Sequence, residues 1–289
     1  MISAPAIAII TPHFCGGKWL PLCIASVADQ AIPHEHIVQD AGSTDRTLHW
    51  LPQDARVAAH VEKDRGMYDA INRGYRHATA PILAHLNCDE QYLPGALALV
   101  ADYFAKHPEV DILFGDVVVV DAAGQYICER RSLTPQLVHT WTASNLAFLT
   151  AATFLRRRVL DQHLLWFNAD YREAGDQDWA LRLVRSGVRM ATLGQFVSVF
   201  TETGNNLGLN AHTQVERKAF HATAPLWTRG LAPLALVHFR LRRWRAGHYR
   251  CNPHDYAIFT QANPQQRTTF HVSNPTYRWQ RQSNPSALV

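Results

Sequence analysis

Acidic residues in four stretches carry the chemistry that this chain offers. Asp89 and Glu90 stand side by side in the turn Asn87-Cys88-Asp89-Glu90, directly after the apolar run Ile82 to Leu86. Two carboxylates at a strand end suit a hard cation such as Mg²⁺ or Mn²⁺, which needs few protein oxygens when a diphosphate supplies the rest. The same acids serve equally as a solvated loop or as the start of a helix near Leu93. Asp40 ends the short strand candidate Glu35 to Gln39, in "IVQDAGSTDRT". A carboxylate fixed there can accept a hydrogen bond from a nucleobase ring N–H, and an Asx turn accounts for it as well. Asp45 reads as a first-turn partner of a helix dipole. In "EKDRGMYDAINRG" a loop turning at Gly66 could close on a nucleotide through Asp64 and Arg65. As a merely charged helix start, its ion pairs contribute only about 0–1 kcal/mol each. Asp176, in "AGDQDWALRL", is placed either for general-base work or as an N-cap with Asp178 in the first turn.

These residues need a scaffold, and the hydrophobic pattern supplies one. Ala6 to Ile10 reads as a buried strand that Pro12 stops. Residues 18–29 have helical spacing. Ser43 is a plausible N-cap for a helix reaching Leu51. Val57 to Val61, Met67 to His77, Ile82 to Leu86 and Pro94 to His107 read as strand, helix, strand and helix. Strands alternating with helices at this spacing imply a parallel sheet covered on both faces. Its ligand is expected at the carboxyl ends of the strands, where these acids lie. After residue 108 the rhythm changes. Apolar runs at 110–114 and 117–120, then Tyr126 to Glu129 beyond the Gly124 turn, predict antiparallel pairing. Trp179, Leu183 and Val184 form a helical stripe stopped by Gly187. "VRMATLGQFVSVFTETG" reads as one or two strands. A loop and then a helix are expected after Gly204. Pro233 is expected to open a further helix carrying Leu234, Val237, Leu241 and Trp244 among arginines. Little regular structure is expected in the last 40 residues.

Charge divides the chain. From Asn205 onward there are 11 Arg/Lys against 2 Asp/Glu, a balance of +9, so a chain total of +4 leaves −5 for residues 1–204. The reading is therefore two parts with two jobs, an acidic domain over 1–204 and a basic, partly helical extension over 205–289. The five cysteines are scattered, and no pair has metal-ligand spacing, which points to reduced thiols in a cytosolic setting. No basic leader opens the chain, and no run reaches the roughly 18 apolar residues of a membrane span. The sixteen histidines lack HxxxH or HExxH spacing beside an acid. G-x-G-x-x-G, G-x-x-x-x-G-K-[ST] and G-x-S-x-G are all absent, which argues against dinucleotide-binding, P-loop and hydrolase-elbow chemistry.

In order along residues 5–204, "AIAIITPHF", "IVQDAGSTDRT", "EKDRGMYDAINRG", "ILAHLNCDE" and "AATFLRRRVL…AGDQDWALRLVRSG" resemble a family 2 glycosyltransferase with the GT-A fold. Among these the chain is most similar to bacterial enzymes of O-antigen, capsule or exopolysaccharide assembly. The resemblance implies an α/β fold with a mixed, mostly parallel sheet flanked by helices. It implies that Thr11 and Pro12 line the nucleotide pocket, that Asp40 meets the base, and that Asp64 with Arg65 belongs to the donor site. Asp89 takes the place of the metal-binding acid of a D-x-D turn, with Glu90 beside it, and Asp176 that of the catalytic base. The turn departs from the family's Asn-Ala-Asp-Asp or Asp-Ala-Asp-Asp. Here Asn87 is a weaker ligand than Asp, nearer the nucleotide than the metal in role, and Glu90 is one methylene longer. The implied reaction is an inverting, Mn²⁺- or Mg²⁺-dependent transfer of one sugar to a glycan or lipid-linked acceptor, since the Q-x-x-R-W motif of processive synthases is missing. The basic helix with interleaved Leu and Trp could lie on an anionic membrane, at the inner face of the plasma membrane, or pack on the catalytic domain. Two other classes compete. One is a catalytically silent sugar-nucleotide-binding module. The other is a nucleic-acid binder, against which the acidic first part counts.

Overall fold

The computed structural model describes residues 4–142, 146–204 and 211–279. Parallel strands β1 (Ile7–His13), β2 (His34–Asp40), β3 (Ala58–Val61) and β4 (Ile82–His85) build one half of the sheet, with α1 (Leu20–Ala28) and α2 (Met67–His77) in the connections. Next come a two-residue β5 (Gln91–Tyr92), α3 (Ala96–Lys106), the long β6 (Ile112–Asp121) and β7 (Tyr126–Arg130). α4 (Leu137–Thr142), β8 (Thr153–Arg156), α5 (Arg158–Asp161), α6 (Gly175–Ser186) and β9 (Met190–Glu202) follow. The sheet order is β3-β2-β1-β4-β8-β6-β9-β5, with β7 paired to β6. β8 runs antiparallel between β4 and β6, whereas β6 and β9 are parallel, so the sheet is mixed.

Both faces are covered, which is why β1 reads as continuously apolar rather than alternating. Ala8 and Ile10 pack toward α2 and α6, with Tyr68, Ile71, Tyr75, Trp179 and Leu183. Ile7 and Ile9 pack on the opposite side toward Cys23, Val27, Leu97, Val100 and Phe104.

Several expectations change. Pro12 does not stop β1, which runs on to His13. Beyond Ile10, β1 keeps β2 as a neighbour but has lost β4, so the imino nitrogen of Pro12 meets a free edge. Ser43 starts no α-helix, and only two short 3₁₀ turns form, at Thr47–His49 and Leu51–Gln53. The Ser43 hydroxyl donates to Asp40 instead of capping, and Arg46 is left-handed at φ 70°. The apolar runs at 110–114 and 117–120 are a single strand whose register shifts around Asp116.

The basic part is more ordered than its composition indicates. α7 (Ala211–Ala222) and α8 (Leu226–Arg245) are helices, and Pro233 lies inside α8 rather than at its start. β10 (His254–Ile258) and β11 (Thr268–Val272) form a hairpin where little regular structure was expected. The hairpin is tied to the sheet domain: Gln91 exchanges two hydrogen bonds with the backbone of Phe259, and Arg267 reaches Asp29 at 2.5 Å.

Candidate active site

Because β1 to β4 are parallel, their carboxyl ends emerge on one edge of the sheet. The end of β1 and the turns after the other strands bring Pro12, His13, Asp64, Asn87, Asp89 and Glu90 to the wall of one cavity of about 910 Å³. Asp176 and Gln177, in the first turn of α6, close it from the far side. Lys18, Lys63, Arg130 and Arg217 supply positive charge around the same space, and Phe14, Trp19, Phe200 and Trp279 supply aromatic surface. A cavity of this size, with a few polar groups converging into it, has the character of a small-ligand site.

The acidic turn is built tightly. The Asn87 backbone N–H donates to Glu90 Oε2 at 2.8 Å, and the Glu90 side chain is buried. Burial raises the Asp89 carboxyl above its ordinary value. Burial and the neighbouring Asp89 charge do the same to Glu90. The Asn87 side-chain oxygen is buried and has no hydrogen-bond partner among the described residues. Carboxylates that are costly to ionise beside an orphaned amide oxygen form an all-oxygen donor set, which fits a hard divalent cation.

Asp176 is not an N-cap. Ala174 occupies that position, and the Asp176 carboxylate accepts the N–H of Gln177 at 2.9 Å. The backbone N–H groups of Arg172, Glu173 and Ala174 are gathered by the Glu216 carboxylate of α7 at 2.8–3.0 Å. Burial pushes the Asp176 carboxyl up to about 6, and the nearby Arg217 guanidinium opposes that rise. Such a group is ionised at neutral pH yet basic enough to take a proton. Beneath it, the Tyr68 hydroxyl accepts the Asp176 backbone N–H. A Cβ at Gly175 would lie 2.7 Å from the Tyr68 ring, so glycine is what lets α6 approach so closely.

Three expected residues sit elsewhere. Thr11 does not line the cavity: it is fully buried behind the wall, with its hydroxyl 2.9 Å from His36 Nε2. Asp40 is also behind the wall. Its two oxygens are taken by Gly42 N–H, Ser43 N–H, the Ser43 hydroxyl and His13 Nδ1, all at 2.7–2.8 Å. Burial alone would raise its carboxyl, but these bonds hold it below the ordinary value. With its lone pairs filled, Asp40 offers nothing to a nucleobase in this arrangement, and its neighbours His13 and Ala41 reach the cavity in its place. Arg65 points into an adjoining space of about 690 Å³ shared with Asp64, Asp170, Arg172 and Glu173.

Sequence reasoning missed His13, Tyr68, Arg217, Arg130 and Trp279. His13 and Tyr68 sat within quoted motifs without being singled out. Arg130, Arg217 and Trp279 carry no local signal, because chain segments far apart in sequence bring them to the cavity. Trp279 is held by its indole N–H to Glu202 at 2.6 Å and lies under the Arg130 guanidinium. Outside the cavity, His60, Glu62 and His77 bring three potential ligand atoms within 4.8 Å. The two imidazoles stack face to face at 3.8 Å, and Glu62 is engaged by Arg73 at 3.2 Å, so the group reads as packing.

Residues 8–165 match the family described as "Glycosyl transferase family 2". A PGL/p-HBAD biosynthesis glycosyltransferase of Mycobacterium tuberculosis is 29% identical over 254 residues, covering 84% of this chain and 92% of the relative. The Escherichia coli chondroitin synthase is 25% identical over 193 residues, which is 63% of this chain and 27% of that protein. Among solved structures, Staphylococcus aureus TarS 1–349 in complex with UDP-GlcNAc superposes with a TM-score of 0.58 at 16% identity, over 83% of this chain and 73% of that one. The mannosyltransferase PcManGT from Pyrobaculum calidifontis, in complex with GDP-Man and Mn²⁺, gives 0.54 at 21% identity, over 86% and 77%. The structural likenesses establish a shared GT-A architecture. The family match spans more than half of the sequence, and the chain belongs to glycosyl transferase family 2.

Proposed function

We propose that this glycosyltransferase moves one sugar from a nucleoside-diphosphate donor to a hydroxyl of a glycan or lipid-linked acceptor, inverting the anomeric carbon, in the assembly of a surface polysaccharide or glycolipid. The observation that carries this reading is that Asp89 and Asp176, from separate halves of the fold, face one cavity ringed by Lys18, Lys63, Arg130 and Arg217. The similarity to a PGL/p-HBAD biosynthesis glycosyltransferase and to a chondroitin synthase supports a glycan-building role, and neighbours solved with UDP-GlcNAc and GDP-Man support the donor class. The place of work is the cytoplasmic side of a membrane that presents the acceptor.

In the chemical step Asp176 takes the proton of the acceptor hydroxyl as that oxygen attacks the anomeric carbon. The bond from the anomeric carbon to the diphosphate oxygen breaks, and its electron pair leaves with the nucleoside diphosphate. Arg217 and Lys63 are placed to meet that charge. Asp89, with Glu90 and Asn87 beside it, would hold Mn²⁺ or Mg²⁺, and a cation bound there would supply further positive charge for the departing diphosphate. Phe14 and Trp19, at the cavity mouth, offer faces on which a base can stack. Asp64 accepts the Gly66 N–H at 2.9 Å and so shapes the donor loop, while Asp40 acts through His13.

A thermal-shift screen of UDP-, GDP-, dTDP- and CDP-sugars with and without Mn²⁺ tests the donor assignment, because a ligand that binds only the native state stabilises it. The expected result is one nucleotide class that stabilises the wild type only with the metal, and no stabilisation of Asp89→Ala. Product analysis by NMR should show the inverted anomer. A retained anomer, or no response to any donor, overturns the reading.

A further inference from the structure

We propose that α8 seats the enzyme on an anionic phospholipid surface through one exposed apolar stripe. The proposal deepens the lipid-linked acceptor reading above by naming the surface from which that acceptor is met. Trp227, Leu231, Leu234, Val237, Leu241 and Trp244 follow one another at steps of four, three, three, four and three, which keeps them on one face of a helix. All six are exposed, Leu234 and Trp244 at 65% and Val237 at 61%. A soluble helix ordinarily turns such a stripe inward.

The opposite face of α8 is already used. Thr228 and Ala235 are buried, Phe239 stacks on His139 of α4 at 3.7 Å, and Arg242 donates to the Thr134 carbonyl oxygen at 3.0 Å. The helix is therefore docked on the catalytic domain by one side and presents its larger apolar side outward. No described helix is long and apolar enough to cross a membrane, so insertion as a span does not account for the stripe.

Charge selects the occupant. From Arg217 to His254 the chain contains no Asp or Glu. Exposed Lys218, Arg240, Arg245 and Arg250 lie in that interval. A second copy of this chain would bring two uncompensated cationic helices together. Anionic headgroups neutralise the arginines while the acyl boundary takes the Leu, Val and Trp side chains.

The docking face is also coupled to the site. α4 lies between α8 and α6, since Trp141 of α4 shares one cluster with Leu181 of α6 and Phe220 of α7. α6 carries Asp176 in its first turn. Past α4, Leu146 and Leu149 line the cavity itself. A lipid-borne acceptor hydroxyl is thus offered on the side of the cavity that holds the base.

The test is flotation of the full chain, with Mn²⁺, on phosphatidylcholine vesicles with and without phosphatidylglycerol. It is repeated for Leu234→Glu/Val237→Glu, an exposed pair whose change leaves the packed face alone. The wild type should float with the anionic vesicles and detach as salt rises. The variant should lose binding by roughly tenfold or more, because apolar burial is removed and like charge is added. Its melting temperature and donor hydrolysis in free solution should be unchanged. Failure of the wild type to float, or equal flotation of the variant, overturns the proposal while active donor hydrolysis leaves sugar transfer standing. A wild-type dimer that the variant converts to monomer also overturns it, by assigning the stripe to a second copy. Flotation without any donor response would sink the proposed reaction and spare the docking surface.

Discussion

The Tyr68 hydroxyl accepts the backbone N–H of Asp176 at 3.1 Å and donates to the Glu173 carbonyl oxygen at 3.3 Å. One phenol of α2 therefore fixes the turn that aims the carboxylate of α6. Tyr68→Phe removes both bonds and leaves the ring packing. The expected cost is about 1 kcal/mol of stability, with a several-fold fall in kcat and little change in donor affinity. Gly175→Ala drives a Cβ into the ring and should destabilise by roughly 1–3 kcal/mol. Urea unfolding and steady-state kinetics of the two variants check this. Unchanged kcat in Tyr68→Phe would remove the positioning role.

Replacing Asp176 by Asn should lower kcat by about 10²- to 10⁴-fold while donor binding, measured by calorimetry, changes little. Stability moves the other way. Burial raises the Asp176 carboxyl from 3.8 to about 6 in the folded protein. Between these values the native state holds a proton that the unfolded chain releases, so stability falls as pH rises through that window and stays lower above it. The Asn variant lacks this penalty. It should be more stable than wild type at pH 7.5, by about 3 kcal/mol, and the difference should vanish below about pH 4. The wild-type rate, in turn, should fall as pH drops through about 6.

Asp89 and Glu90 predict a proton count. Burial raises both carboxyls, and the Asp89 charge raises Glu90 further, so the metal-free pair retains a proton near neutral pH. A cation binds the ionised forms, so Mn²⁺ binding should expel that proton. Calorimetric titration in buffers of different ionisation enthalpy measures the release. Affinity should also weaken as pH falls. Binding with no buffer dependence would mean that the pair is already ionised, and that burial has been offset by something other than the metal.

Asp89, Glu90, Asp64 and Asp176 were legible because a strand end or a helix start places a side chain locally, and the parallel order of β1 to β4 collects those ends on one edge. Asp40 was legible as a strand-end acid but not as a filled one. Its partner His13 lies 27 residues away, and only the β1–β2 register brings Nδ1 to 2.7 Å. Thr11 was misplaced for a related reason: it lies inside the covered part of β1 with its hydroxyl on His36, and the cavity begins only at the strand end, with Pro12, His13 and Phe14. The tail was underestimated because Gln, Asn and Pro obscure a hairpin whose stability comes from Gln91 and Asp29, far earlier in the chain.

Arg217 shows what a net charge conceals. It belongs to the basic part that composition separates from the acidic catalytic part, yet it lines the cavity beside Asp176. Its neighbour Glu216 ties α7 to the turn before α6, and its own Nε is buried without a hydrogen-bond partner among the described residues. A guanidinium held this way can do two things: keep Asp176 ionised, and meet diphosphate oxygens with its free donors. Arg217→Ala should therefore have two separable effects. The acid limb of the pH–rate profile should move upward, since the charge that lowers the Asp176 carboxyl is gone. The donor KM should rise as well, by roughly tenfold for one lost charge-assisted bond of about 1.5–3 kcal/mol. Arg217→Lys should restore the position of the acid limb, because the charge remains, and recover KM only in part, because the planar fork is lost. A variant that raises KM with no shift of the limb would place Arg217 on the diphosphate alone. A shifted limb with unchanged KM would make it a partner of the base and nothing more.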